Sequence, residues 1–352
     1  MEIKKISFKD SLNLNNKLYI DVRTNQEFLE DHIPNAINIP LLDEEERKQI
    51  GFLYKTKGGK IARRKGVDII TPKLQNLIDE MLFKTENFQN IIFYCSRGGL
   101  RSYSMASFFS MVSDKKIYTI ERGYKGFRNY ILNFFENIEN EISGKFLVVD
   151  GLTGTGKTII LNKLKSYGLP VIDLENLATH RGSAFGKIGI YSETNQKKFE
   201  SSLWYELYNL KNEKLIIVEG ESKKIGKINL PEGFYNLMKK SPHVWIETSI
   251  SNRIEILYKD YLKSKPENQE IKDAILRIKD FCSKKSINNM LNFLENNDYK
   301  NLIKELIENY YDKLYHKKRL KFEDFYKIIH YENIDEGVNK LKNVFYEIVE
   351  KE

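Results

Sequence analysis

The chain has little cysteine: two in 352 residues, Cys95 and Cys282. Two thiols cannot staple a small loop-rich fold, so a disulfide scaffold is excluded. No apolar run approaches the roughly 18 residues that a membrane span needs. The opening text, MEIKKISFKDSLNLNNK, holds no apolar signal core. No internal repeat is found. These absences lead to the expectation of a cytoplasmic chain with no membrane partner and reduced thiols. What is present is an ordinary apolar content and a length that suits two or three domains. Lys+Arg exceed Asp+Glu by 57 − 49, a net charge of +8. That excess suits an anionic partner such as nucleic acid, and equally a solubilising surface.

Read in order, residues 17–23, KLYIDVR, form a strand, and TNQE at 24–27 has the capping-box spacing that opens a helix. Residues 43–68 are charged and glycine-bearing and read as an inserted helix followed by a basic loop. Residues 72–83 have helical spacing, and 91–94 and 116–121 read as strands. A second α/β unit begins at Lys145 with KFLVVDGLTGTGKTIILNKL: strand, glycine loop, helix. Strands follow in LPVIDLENL, KLIIVEGES and HVWIE, with a helix over 195–210. From Asn252 onward the apolar residues fall at helical spacing. The polar stretch 136–145 separates the two units, giving expected domains at 1–138, 139–250 and 251–352.

Cys95 lies between a strand and a helix, in CSRGGLRS. Backbone N–H groups of a loop that opens a helix point into its bowl, and they and the helix dipole favour an anion and a lowered thiol pKa. Arg97 and Arg101 add forked donors. The plain alternative is a buried cysteine closing a strand. In GLTGTGKT, residues 151–158, Gly151, Gly154 and Gly156 let backbone amides cradle phosphate. Lys157 reaches an outer phosphate, and Thr158 is the candidate ligand for Mg²⁺. Asp173 and Glu219 end later strands, where a metal-side carboxylate or a mere helix cap would sit. The loop DLENLATHRGSAFGKIG adds Glu175, His180, Arg181 and Ser183, with His180 a candidate acid, base or phosphate donor. VEGESKKIG adds Glu221, Lys223 and Lys224.

YIDVRTNQEFLEDHIPNAINIP, the cysteine loop and GYKGFR together resemble the rhodanese family. The resemblance implies functional positions at Asp21, Arg23, Glu27 and His32, with Cys95 as nucleophile. Five residues separate Cys95 from Arg101, a spacing that also resembles phosphatases on the same fold and suits a tetrahedral anion. With GLTGTGKT, DLENLATHRGSAFG and VEGESKKIG added, the chain resembles the bacterial tRNA 2-selenouridine synthase family. That resemblance implies a rhodanese-like α/β domain, then a P-loop NTPase-like α/β domain and a helical C-terminal region. It also implies conversion of wobble 2-thiouridine to 2-selenouridine through an S-geranylated intermediate, from geranyl diphosphate and selenophosphate. Implied partners are the anticodon region of tRNA, small-molecule anions and a selenophosphate-producing enzyme.

The residues fit Cys95 both as a covalent selenium carrier and as a binding group. Lys55, Lys57, Arg63, Arg64 and YHKKRLKFEDFYK at 315–327 are candidates for the RNA track. Phe185 and Trp204 are candidates for an apolar groove, or for core. Other readings left open are a P-loop kinase with a regulatory rhodanese module, a rhodanese-fold phosphatase, and a non-catalytic tRNA-binding protein.

Overall fold

The computed structural model describes residues 2–179, 194–264, 267–314 and 325–351. The chain divides into two compact units: Met1–Phe134 with Glu200–Ser202, and Phe135–Phe199 with Leu203–Glu352. The first unit holds a parallel sheet of β1 (Lys4–Ile6), β2 (Lys17–Asp21), β3 (Ile37–Asn38), β4 (Asn90–Tyr94) and β5 (Lys116–Ile120) in the order β1-β5-β4-β2-β3. Its inner strands are apolar on both faces, as a sheet covered by helices requires. Ile20, Val22, Ile91 and Phe93 pack with Met105 and Phe109 of the helix Leu100–Ser110. The β2–β4 register sets Asp21 beside Tyr94, so the carboxyl ends of both strands lie next to Cys95.

Thr24 caps the helix Asn25–Glu30 with the capping box that TNQE announces. Residues 43–68 depart from expectation, because the basic segment is helical. Asp43 caps the helix Glu44–Lys57 with a second capping box, Gly58 turns the chain at φ +84°, and Gly59–Ile70 is a second helix. Its glycines read as loop text, yet Ala62 and Gly66 give it a buried face.

The second unit is built on β6 (Lys145–Gly151), β7 (Val171–Ile172), β8 (Leu215–Glu219), the short hairpin β9 (Lys224–Ile225) and β10 (Ile228–Asn229), β11 (His243–Glu247) and β12 (Lys327–His330). The main sheet is parallel, ordered β12-β11-β6-β8-β7. Leu147, Val149, Ile217 and Ile246 form its core with Ile160 and Leu164 on one helix and Leu341 and Phe345 on another. The region after Ile250 is mainly helical, with its own apolar cluster around Ile275, Met290 and Leu306. It also returns to the sheet: β12 pairs with β11, and the helix Ile334–Lys351 packs on the core. A four-residue strand between helical patterns leaves no periodicity of its own to read. No helix among the described residues is long and apolar enough to cross a membrane.

Candidate active site

In the first unit, β4 delivers Cys95 into a loop that ends at Gly99, the N-cap of the helix Leu100–Ser110. The Gly99 amide donates to the Cys95 sulfur at 3.3 Å. The Ser102 hydroxyl lies 3.3 Å from the sulfur and 3.1 Å from the Gly99 carbonyl. GYKGFR buttresses this loop from behind. Gly123, at φ +53°, lies so close that a Cβ would come within 2.0 Å of the Cys95 carbonyl oxygen. The amides of Tyr124 and Lys125 donate to the carbonyls of Cys95 and Ser96 at 2.8 and 3.0 Å. Only glycine permits both the conformation and the approach.

Cys95 is 3% exposed. Burial alone would push its thiol up. Hydrogen bonds from Ser102, the Arg101 charge and the Arg97 amide outweigh it, and the pKa lies below the ordinary thiol value. Ser102→Ala removes the hydroxyl donor and should move the pH profile of Cys95 alkylation by iodoacetamide to higher pH. An unmoved profile would mean that Ser102 does not tune the thiol. Cys282 goes the other way, raised by burial.

A cavity of about 420 Å³ opens on this loop, lined by Arg47, Cys95, Ser96, Arg97, Gly99, Leu100 and Arg101. Arg97 is exposed and forms no ion pair among the described residues. Arg101 is only partly available as an anion fork. Its guanidinium donates to Glu27 at 3.0 Å and to the Ser96 hydroxyl at 2.9 Å. Burial would raise the Glu27 carboxyl, but Ser96 at 2.6 Å, Arg101, and Arg47 at 3.2 Å hold it down at about 2. Glu27 therefore positions the rim arginines.

The other positions implied by the rhodanese likeness lie elsewhere. Asp21 and Arg23 form a buried ion pair at 2.6 Å, with Tyr124 stacked on the guanidinium at 4.0 Å. His32 stacks on Phe28 at 3.9 Å. None of the three lines the cavity.

In the second unit, the register of β7, β8 and β6 brings Asp173, Glu219 and the loop after Gly151 to one sheet end. That end of a parallel sheet is where α/β units bind ligands. Gly156, at φ +70°, caps the helix Lys157–Ser166. A Cβ there would meet Ile334 at 2.8 Å. The Lys157 ammonium donates to the Gly151 carbonyl at 3.0 Å. The Thr158 hydroxyl lies 3.4 Å from Glu175 and 3.5 Å from Glu219.

Glu175, Glu219 and Glu221 offer carboxylate oxygens that all lie within 4.8 Å of one another. Burial raises Glu219 well above its ordinary value, and the neighbouring carboxylates raise it further; Glu175 moves the same way. Three converging carboxylates and a hydroxyl are hard oxygen donors that fit Mg²⁺, which would relieve their repulsion. Asp173 instead caps the short helix Leu174–Leu177, accepting from the Asn176 amide at 2.9 Å.

Sequence reasoning missed the groups that hold the glycine loop. Arg253, 4% exposed, donates from Nε to the Thr153 carbonyl at 2.9 Å and pairs with Asp312 at 2.6 Å. The Tyr331 hydroxyl donates to the Thr155 carbonyl. These residues lie up to about 180 positions from the loop they support, so no local pattern announces them.

Trp204 is 2% exposed and belongs to the core, not to a ligand groove, because the apolar face of the helix Gln196–Asn209 turns inward. His180, Arg181, Ser183 and Phe185 lie outside the described residues, as does most of 315–327.

Comparison with known proteins places both units. The rhodanese-like domain family matches residues 6–130, and the tRNA 2-selenouridine synthase AAA domain matches 144–290. The tRNA 2-selenouridine synthase of Nitrosomonas europaea is 33% identical over 263 residues, 73% of this chain and 67% of that protein. The protein of that name in Nitrosomonas eutropha is 32% identical over 255 residues, 71% and 64%. In a Sulfurovum species it is 34% identical over 264 residues, 74% and 70%. The chain thus spans about two thirds of the length of these relatives. With a cysteine loop at the end of one sheet and a glycine loop at the end of the other, the chain belongs to the tRNA 2-selenouridine synthase family.

Proposed function

We propose that this chain converts 2-thiouridine at the wobble position of tRNA to 2-selenouridine through an S-geranylated intermediate. The observation that carries the reading is the pairing of two differently equipped anion loops. One has a buried, acidified thiol; the other has Lys157, Thr158 and three carboxylates.

In the first half-reaction the C2 sulfur of the base attacks C1 of geranyl diphosphate. A C–S bond forms, the C–O bond breaks, diphosphate leaves with the electron pair, and the N3 proton goes to solvent. Lys157 and the amides of the glycine loop meet the charge that grows on the leaving diphosphate. Thr158 and Glu219, with Glu175 and Glu221, would hold Mg²⁺, whose part is to neutralise that same charge. In the second half-reaction the Cys95 bowl receives selenophosphate, a tetrahedral anion, under Arg97. Selenium attacks C2, the C2–S bond breaks, and geranylthiol leaves with a proton. Water then cleaves the P–Se bond to give phosphate. Selenophosphate would come from an enzyme that produces it. Lys55, Lys57, Arg63 and Arg64 are exposed on the helix pair spanning 44–70 and supply phosphate contacts for the anticodon region.

The test is nucleoside mass spectrometry on 2-thiouridine tRNA incubated with the protein, Mg²⁺ and geranyl diphosphate, and then with selenophosphate. The expected products are geranylthiouridine and then selenouridine. Unchanged RNA, with magnesium-dependent turnover of ATP or hydrolysis of an aryl phosphate instead, would replace this reading with a kinase or a phosphatase.

A further inference from the structure

A second cavity, of about 710 Å³, lies beside the cysteine bowl within the first unit and shares Arg47, Arg97 and Arg101 with it. Its volume falls within the roughly 300–1,000 Å³ of small-molecule sites. The far wall is the helix Glu44–Lys57, which contributes Ile50, Gly51, Phe52 and Tyr54, with Leu42 just before it. Phe52 and Tyr54 are 64% and 63% exposed, an unusual exposure for two aromatic side chains on one helix.

Gly51 is the informative residue. It lies inside a helix, where glycine destabilises relative to alanine. Its φ is not positive, and a Cβ at this position would meet nothing within 4 Å. Neither backbone conformation nor packing therefore requires glycine. Gly51 lines the cavity, so a larger side chain there would take up its space. The rim is cationic, with Lys55 on the same helix and Arg97 opposite. An apolar, aromatic-lined groove with a cationic rim, continuous with an anion bowl, matches an unstacked nucleotide that carries an apolar substituent.

We infer that this groove seats the S-geranylated nucleotide during selenation. The geranyl chain and base lie along Ile50, Gly51, Phe52 and Tyr54, the flanking phosphates meet Lys55, and C2 faces the bowl, where Arg97 holds selenophosphate. The inference rests on the function proposed above and adds where the intermediate is held.

The test measures binding of two synthetic anticodon stem-loops, one with S-geranyl-2-thiouridine and one with 2-thiouridine, to the full chain by fluorescence anisotropy. The wild type should prefer the geranylated loop by about tenfold or more, as expected for seating several methylenes. Gly51→Leu and the pair Phe52→Ala/Tyr54→Ala should abolish that preference. Gly51→Ala should raise the melting temperature by about 2–4 °C while weakening binding of the geranylated loop. A purely structural glycine would not separate these two effects. The groove is overturned if the wild type shows no preference, or if the variants melt normally and keep it. Turnover of the same loops, read by nucleoside mass spectrometry, decides the proposed function separately.

Discussion

In Cys95→Ser, 2-thiouridine tRNA is expected to stop at the S-geranylated nucleoside. Selenouridine formation should fall by at least about 10³-fold, the scale of losing a central catalytic group, while geranylation proceeds near the wild-type rate. The physical ground is local. The sulfur is buried, accepts from the Gly99 amide, and is tuned by Ser102 at the mouth of the anion cavity. A hydroxyl in that place keeps the shape and loses the polarisable, acidified thiol that the bowl presents to selenophosphate. Nucleoside mass spectrometry after each donor is added separates the steps. Selenation at the wild-type rate by the variant would remove Cys95 from the chemistry.

Lys157→Ala is expected to fail at the other step. Lys157 opens the helix Lys157–Ser166 and holds the Gly151 carbonyl at 3.0 Å, within the loop that would cradle diphosphate. Removing one preorganised donor from a developing oxyanion costs on the order of 10²–10³ in kcat. Geranylation should fall by that factor. Selenation of RNA that already carries the geranyl group should be unaffected, because no diphosphate leaves in that step. Quenched-flow geranylation of a 2-thiouridine stem-loop gives the first value, and selenation of a synthetic geranylated stem-loop gives the second. Equal losses in both would place Lys157 outside the division of labour.

Both loops were legible in the sequence because each is contiguous, strand–glycine–helix text. What surrounds them was not. Glu219 was legible as a strand-end carboxylate, but its cluster depends on sheet register, which sets Glu175, in the short helix after β7, beside Glu219 at the end of β8 and Glu221 two residues on. Glu27 reaches Ser96 across 69 positions of chain. Arg101, read as an anion fork, is largely occupied by that contact. The strand β12 and the buttress of Arg253, Asp312 and Tyr331 come from a region whose helical periodicity hides both. Glycine-rich text at 58–66 suggested a loop, yet the segment is helical apart from the turn at Gly58. For Trp204 the sequence left groove and core open, and its burial decides for core.

The most direct measurement combines the two defective variants in one tube with 2-thiouridine stem-loop, geranyl diphosphate, Mg²⁺ and selenophosphate. Cys95→Ser supplies the geranylated RNA and Lys157→Ala consumes it, so the mixture should make selenouridine although neither protein does so alone at a comparable rate. Two variants that halt at the same nucleoside, and a mixture that yields no selenouridine, would contradict the assignment of one half-reaction to each loop.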